Sequence, residues 1–600
     1  MGAAIPSLSR HALTVERAGE RGMLALLSGA AGASVLCVAG ILGFLAWFSL
    51  PLLQPGQLAA VLSWTWQPTS GRFGILPMAA GSLLLASSAM LLAFPLGLGL
   101  ALFVNGLGPR ALAKHLGALV RLMSGVPTVV YGLASVFLLV PLLRSSFTGT
   151  SGFSWLAAML VLALLVLPTV TLVLDGQLRL VVPGLHLTAA ALGLTESQTL
   201  VRLALPQCGH GLKAAAALGF GRAIGDTLIA LMLSGNAAQV PHSPLDSLRA
   251  LTAHIGLVLA TDSQSQAYGS LFACGLVLFG VSLAVNLGLR SLGRRPDRAV
   301  LSAHLGRPLP GLETLATGLA WTSAILVPAA LAALLGFLLL RGLPTISLAL
   351  YFGDTPPLDA LVHGAPVFDG LWPACLGTLW LVGLAALFAV PVGLAGGIHL
   401  AEFATGRAAR LAAFCVDLLA GVPSILMGLF GFALILLLRR SFWPSANTCL
   451  LLSALCLALL VLPYLVSATC AALAGLPQEL RLTCAALGLS RWQAVRRVLL
   501  PAARQGILGG VVLALGRAAE DTAVILLTGV VVGAGRPGAL TDKFEALPFT
   551  IYYLAAEHQT PQELDLAFGA ALTLLALTLA LFALARRLGG GSHEAWRPGT

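Results

Sequence analysis

The chain has 600 residues, of which 58% are hydrophobic and only 10% charged, and it carries a formal net charge of +11. A soluble domain of that size cannot hide so much apolar surface, so the composition excludes an ordinary globular enzyme or binding module and leaves a membrane protein. The basic excess does not point to nucleic acid, because most of the 34 Lys and Arg fall in loops that would face one side of a bilayer.

Apolar runs long enough to cross a bilayer as helices recur along the whole chain, and in lipid only a helix satisfies its own backbone. They predict an all-α membrane fold of about 12 transmembrane helices, near 23–52, 75–105, 122–143, 154–176, 212–235, 266–289, 318–340, 371–400, 412–438, 447–470, 507–532 and 565–585. The first run follows Arg10, Arg17 and Arg21 and is too long for the apolar core of a signal peptide. An even number of spans puts both termini on one side, and these arginines, with Arg586 and Arg587 at the far end, make that side cytoplasmic. The loop 290–311, with Arg290, Arg294, Arg295, Arg298 and Arg307, is the natural joint between two halves.

An internal repeat supports that division. Gly125-Val126-Pro127 recurs as Gly421-Val422-Pro423, with Pro95 and Pro391 at the same offset. After a slip of one residue, Leu167-Pro168 matches Leu462-Pro463, Leu192-Gly193-Leu194 matches Leu487-Gly488-Leu489, Leu205-Pro206 matches Leu500-Pro501, and Gly221-Arg222-Ala223 matches Gly516-Arg517-Ala518. Each half would hold six spans in the same orientation, as two bundles around a pseudo-twofold axis along the membrane normal.

Three motifs carry the functional reading. The loop between the fourth and fifth spans reads LTAAALGLTESQTLVRLALP (187–206) in one half and LTCAALGLSRWQAVRRVLLP (482–501) in the other. Each predicts an amphipathic helix, a turn at Gly193 or Gly488, and a second helix stopped by Pro206 or Pro501. Leu192, Leu200, Leu203, Val495 and Leu499 are apolar in a loop expected outside the bilayer, which suits docking into a groove of another protein. The second motif, GRAIGDT (221–227) and GRAAEDT (516–522), opens the fifth span. The four-residue spacing puts Arg222 with Asp226, and Arg517 with Asp521, on one helix face, as a structural ion pair or as part of a polar path. Two arginines on a common axis would favour a tetrahedral oxyanion, whose oxygens their forked donors match. The third, SGVPTVVYGL (124–133) and AGVPSILMGLFGF (420–432), starts a span with Gly and Pro where a first helical turn tolerates them.

The paired loops resemble the EAA loop of ABC importer permeases, with Leu187 and Leu482 standing where that family has Glu. GRAIGDT and GRAAEDT resemble the GRAxGET signature of the phosphate-specific transport (Pst) permeases, with Asp226 and Asp521 in place of Glu and Glu520 in place of Gly. The first half, with Tyr131-Gly132, looks PstC-like. The second, with Gly421 to Ser424 and Leu547-Pro548-Phe549-Thr550-Ile551-Tyr552-Tyr553, looks PstA-like. The resemblance implies two ABC type-1 permease domains: a PstC-like one at 75–290 after an N-terminal segment (1–74), and a PstA-like one at 371–587 after a linker, seventh helix and outer loop (291–370), with a cytoplasmic tail at 588–600.

The resemblance implies a substrate path at Arg222, Asp226, Thr227, Arg517, Glu520, Asp521 and Thr522. It implies ATPase-coupling loops at Ala190, Leu192, Gly193, Leu205, Pro206, Ala485, Leu487, Gly488, Leu500 and Pro501, and helix-start motifs at Gly125, Pro127, Gly421 and Pro423. The implied partners are two ABC ATPase subunits, a periplasmic phosphate-binding protein meeting outer segments 53–74, 236–265, 341–370 and 533–564, and membrane lipid. No Walker A lysine follows a glycine here, since Lys114, Lys213 and Lys543 follow Ala, Leu and Asp, so ATP and Mg would sit on the partner. The nine cysteines are scattered, no metal spacing occurs, and no nucleic acid or catalytic role is expected. The implied location is the bacterial inner membrane. The same residues also admit a permease for sulfate or molybdate, a secondary anion transporter with duplicated repeats, or a phosphate-sensing scaffold.

Overall fold

The computed structural model describes residues 10–50, 57–70, 72–261, 267–292 and 311–589. The basic linker at 293–310 and the tail at 590–600 lie outside the described residues. Helices dominate: α1 (Arg10–Ser49), α2 (Leu76–Leu102), α3 (Arg110–Met123), α4 (Thr128–Ser146), α5 (Trp155–Ala191), α6 (Gly209–Gly225), α7 (Leu228–Leu233), α8 (Leu251–Thr261) and α9 (Ala267–Leu292) form the first half. In the second half, α10 (Leu312–Gly342), α11 (Trp372–Ile398), α12 (Gly406–Ala420), α13 (Ser424–Ser441), α14 (Leu450–Ala474), α15 (Gln478–Ala486), α16 (Leu500–Glu520), α17 (Ala523–Thr528), α18 (Leu547–Glu557) and α19 (Pro561–Gly589) follow. Among the described residues the one sheet is a two-stranded antiparallel hairpin, β1 (Trp66–Gln67) and β2 (Arg72–Phe73).

Ten described helical runs are long and apolar enough to cross a membrane, against the 12 spans predicted. The difference lies in the fifth and sixth spans of the first half. The fifth is broken into pieces of 17 and 6 residues, α6 and α7, at Asp226-Thr227. The sixth, α9, has its apolar stretch at Ser270–Val285. The second half repeats the break at Asp521-Thr522, between α16 and α17.

The first helix of each half packs on the opposite half. Helix α1 lies along α11 and α12 of the second half as well as α9 of its own, and α10 lies along α2 of the first half as well as α19 of its own. Small residues permit the approach: a Cβ on Gly99 would come within 2.8 Å of the Leu319 carbonyl, and one on Gly396 within 3.7 Å of Ala30. The halves are therefore interleaved rather than set side by side.

Segments 236–265 and 533–564, expected as outer loops, instead carry the buried helices α8 and α18. Their apolar content had no place in a solvated loop; Leu251, Ile255, Leu547 and Ile551 are core residues. The two are moored alike, Leu251 N–H donating to Ser82 Oγ at 2.7 Å and Leu547 N–H to Thr378 Oγ1 at 2.9 Å. Trp66 packs edge-on against the buried His254 at 4.3 Å, and Trp372 lies 5.3 Å from Phe352; Trp64 is exposed.

Candidate functional site

The GRAIGDT and GRAAEDT segments each end a helix. Asp226 leaves α6 with extended backbone (φ −72°, ψ 128°), and its Oδ1 accepts the Ile229 N–H of α7 at 2.9 Å. Asp521 does the same (φ −77°, ψ 118°), accepting the Val524 N–H of α17 at 2.9 Å. Aspartate suits this place because its short carboxylate reaches a donor that the first turn of a helix leaves unpaired. The ion pairs expected from four-residue spacing are not formed: among the described residues no contact within 4 Å joins Arg222 to Asp226 or Arg517 to Asp521. The helix stops at the aspartate, so Arg and Asp no longer share a helix face, and the carboxylate turns to the next backbone.

The two breaks face a common cavity of about 310 Å³. It is lined by Arg222, Asp226 and Thr227 from the first half and by Arg517, Glu520, Asp521 and Thr522 from the second. All seven residues expected on the path are thus brought together. Broken backbone at membrane depth is tolerated where it lines such a cavity rather than lipid. Arg517 lies over the Tyr464 ring, 4.7 Å from its centroid. Its Nε, Glu520 Oε1, Thr227 Oγ1 and Thr522 Oγ1 are buried without a hydrogen-bond partner. Such atoms are costly to leave unpaired, and together they offer an oxyanion both donors and an acceptor.

The helix-start motifs divide. Gly421, Pro423 and Ser424 line the cavity. The Gly421 carbonyl accepts the Ser282 hydroxyl. In the first half Thr128 reaches the cavity, whereas Gly125 packs under the Phe582 ring, where a Cβ would come within 2.7 Å. Pro127 and Pro423 precede α4 and α13 with matching extended angles (ψ 142° and 138°), as a residue just before a helix should. Tyr464 was not singled out in the sequence, and Ser424 only as part of the helix-start motif; no pattern marks a lone polar residue inside an apolar span as facing the axis.

The two loops between the fourth and fifth spans share one design. Gly193 (φ 67°) and Gly488 (φ 73°) turn the chain in the left-handed region, closed by Leu194 N–H to the Ala189 carbonyl (3.0 Å) and Leu489 N–H to the Cys484 carbonyl (3.1 Å). Thr195 with Gln198, and Ser490 with Gln493, then form capping boxes, a T-x-x-Q and S-x-x-Q signature legible in the sequence but not read there. The prolines do not stop the second helix as expected. A widened turn over Thr199–Ala204, closed by Leu205 N–H to the Leu200 carbonyl, leads past Pro206, and Val495–Leu499 does the same before Pro501 at the start of α16. The widening absorbs the missing proline N–H and its steric clash.

Burial also corrects which apolar residues face outward. Leu200, Leu203, Val495 and Leu499 are buried, whereas Leu187, Leu192, Leu482 and Leu487 are 83%, 61%, 64% and 73% exposed. The exposed ones flank each glycine turn together with Ala190 and Ala485, both exposed. Leu205, Pro206, Leu500 and Pro501 lie further back, beyond the widened turn. The second loop is tied to its bundle by Arg481, which donates to Glu402 (2.7 Å) and to the Leu473 and Leu476 carbonyls (2.8 and 3.2 Å). The first is tied by Arg202 paired with Glu313 at the start of α10. Neither pair follows from sequence spacing. Among the described residues no His, Cys, Asp and Glu cluster could hold a metal ion.

Two interleaved helical bundles, a polar cavity at their broken helices and a pair of matched protruding loops define a multi-pass membrane permease. The chain belongs to the family of inner membrane components of binding-protein-dependent transport systems, whose profile matches residues 93–298 and again 389–590, once per half. It is a transporter subunit and not an enzyme. It is similar to the probable ABC transporter permease protein YqgH of Bacillus subtilis, 31% identical over 272 residues that make up 45% of this chain and 88% of that protein. It is similar to the phosphate transport system permease protein PstC of Mesorhizobium japonicum, 30% identical over 241 residues, 37% of this chain and 73% of that one. It is likewise similar to the phosphate transport system permease protein PstA of Haemophilus influenzae, 33% identical over 267 residues, 44% of this chain and 90% of that one. Each relative takes up less than half of this chain while most of its own length is matched, consistent with PstC-like and PstA-like units fused in one chain.

Proposed function

We propose that this chain is the whole membrane pathway of an ATP-driven importer for inorganic phosphate, a PstC–PstA fusion that moves the anion into the cytoplasm by alternating access. The observation that carries the reading is the convergence of Arg222 and Arg517, one from each half, on a single cavity beside two helix breaks. An arginine in lipid costs about 3 kcal/mol or more, so a matched pair held at the axis speaks for a use. Guanidinium donors suit a tetrahedral oxyanion, and the names of the relatives narrow that class to phosphate.

Energy would come from two copies of a separate ATPase carrying ATP and Mg. The exposed leucines beside Gly193 and Gly488 are the surfaces offered to it, and their apolar character supports docking. A periplasmic phosphate-binding protein would deliver the anion at the opposite face. The segment 341–370 supports this with exposed Leu358, Val362 and Phe368. Both termini would be cytoplasmic, following the basic loops.

Co-expression with the candidate ATPase and binding protein, purification on a tagged chain and reconstitution into vesicles test the reading. Capture of the ATPase and ATP-dependent accumulation of labelled phosphate are expected. Accumulation that needs no ATPase would favour a secondary transporter, and accumulation of labelled sulfate or molybdate in place of phosphate would reassign the substrate.

A further inference from the structure

The two halves differ in formal charge at one place among the matched residues of the site. Where the first half has Gly225, the second has Glu520, directly before the capping aspartate in both cases. A Cβ on Gly225 would lie 3.5 Å from Pro423, an ordinary contact, so glycine there leaves only a smooth wall. Glu520, the last residue of α16, instead brings a third carboxylate to a cavity that holds two arginines.

The three carboxylates are not equivalent. Asp226 is occupied by the Ile229 N–H, and Asp521 by the Val524 N–H. Glu520 Oε1 is buried with no partner. The charged groups that act on Glu520 are Arg222, Arg517 and Asp521, with the Tyr131 phenol also within its field; Asp226 and Tyr464 complete the polar lining.

We propose that Glu520 makes this cavity select oxyanions that carry a proton, phosphate and arsenate, over fully deprotonated ones such as sulfate and molybdate. This rests on the reading of the cavity as the anion path. An ionised carboxylate only accepts hydrogen bonds. A hydrogen phosphate held by the arginines can turn a P–OH toward Glu520 and satisfy the unpartnered oxygen. Sulfate at neutral pH has acceptors alone, so its oxygen and the carboxylate would face each other in a desolvated space with no proton between them. Sites built around a substrate hydroxyl reject analogues lacking it strongly, because the buried group is left unpaired. A shared proton removes the conflict.

The test is equilibrium binding of labelled phosphate and labelled sulfate to the full chain in detergent, for wild type, Glu520→Gly, which copies the first half, and Glu520→Gln, which keeps the side chain's size. Wild type is expected to bind phosphate, displaced by arsenate and at least about tenfold less well by sulfate. Both variants are expected to lose that preference, with sulfate competing within about threefold of phosphate. Loss of phosphate binding in Arg222→Ala would place the anion in the cavity. Retention of the wild-type preference in both variants, or equal binding of the two anions by wild type, would overturn the role of Glu520 while leaving the anion path standing. Binding of neither anion by wild type would overturn the path and the proposal together.

Discussion

Arg481 holds Glu402 through Nη2 at 2.7 Å, and the same guanidinium caps the end of α14 by donating to the carbonyls of Leu473 and Leu476. One side chain thus joins the second protruding loop, the end of α11 and the end of α14. The first half has His186 and Gly106 at these places and so lacks the joint. Arg481→Ala is expected to reduce ATP-dependent uptake at least about fivefold while ATP hydrolysis persists, because it leaves Glu402 and two carbonyls unpaired and the loop free to move without its bundle. Glu402→Gln, which still accepts a hydrogen bond, is expected to fall between. Uptake and hydrolysis measured on the same vesicles check this; an equal fall in both would mean general unfolding instead.

The capping role of the aspartates separates two substitutions usually treated alike. Asp226→Asn and Asp521→Asn keep an oxygen for the Ile229 and Val524 amides, whereas alanine keeps none. Each alanine variant is expected to lose about 1 kcal/mol and to melt at lower temperature, with each asparagine variant close to wild type. Thermal unfolding in detergent reads the difference, and equal destabilisation by Asn and Ala would show that charge, not the cap, matters.

Exposure divides the loop leucines into two groups with opposite expectations. Leu187→Asp with Leu482→Asp should leave the melting temperature unchanged and abolish co-purification with the ATPase, since both side chains face outward. Leu200→Ala, at a buried position, should instead cost about 2–5 kcal/mol of stability. Pull-down and melting curves on the same preparations distinguish them.

The repeat and the residues of the cavity were readable from sequence because Arg and Asp are rare inside apolar helices and recur at matched places in the two halves. All seven residues expected on the path, from Arg222 to Thr522, line one cavity. Spacing alone misled where the backbone changes course. Arg222 and Asp226 are a helical pair only if the helix continues, and hydropathy does not register a break that two residues, Asp226 and Thr227, make inside an apolar run. The same averaging hid α8 and α18: hydropathy sees segments too short to span, and only tertiary packing, through Ser82 and Thr378, shows that they are buried. The exchange of α1 and α10 between halves has no local signal, because a helix that packs on lipid and on either neighbour needs the same apolar residues.

The most direct measurement is accumulation of labelled phosphate in vesicles carrying the chain, its ATPase and the binding protein, comparing wild type with the Arg222→Ala/Arg517→Ala variant while ATP hydrolysis is followed in parallel. The arginines at the cavity predict ATP-dependent accumulation by wild type and less than about a tenth of it by the variant, with the complex still assembled. Accumulation by the variant at the wild-type rate would contradict the account, as would accumulation by wild type with no ATPase present.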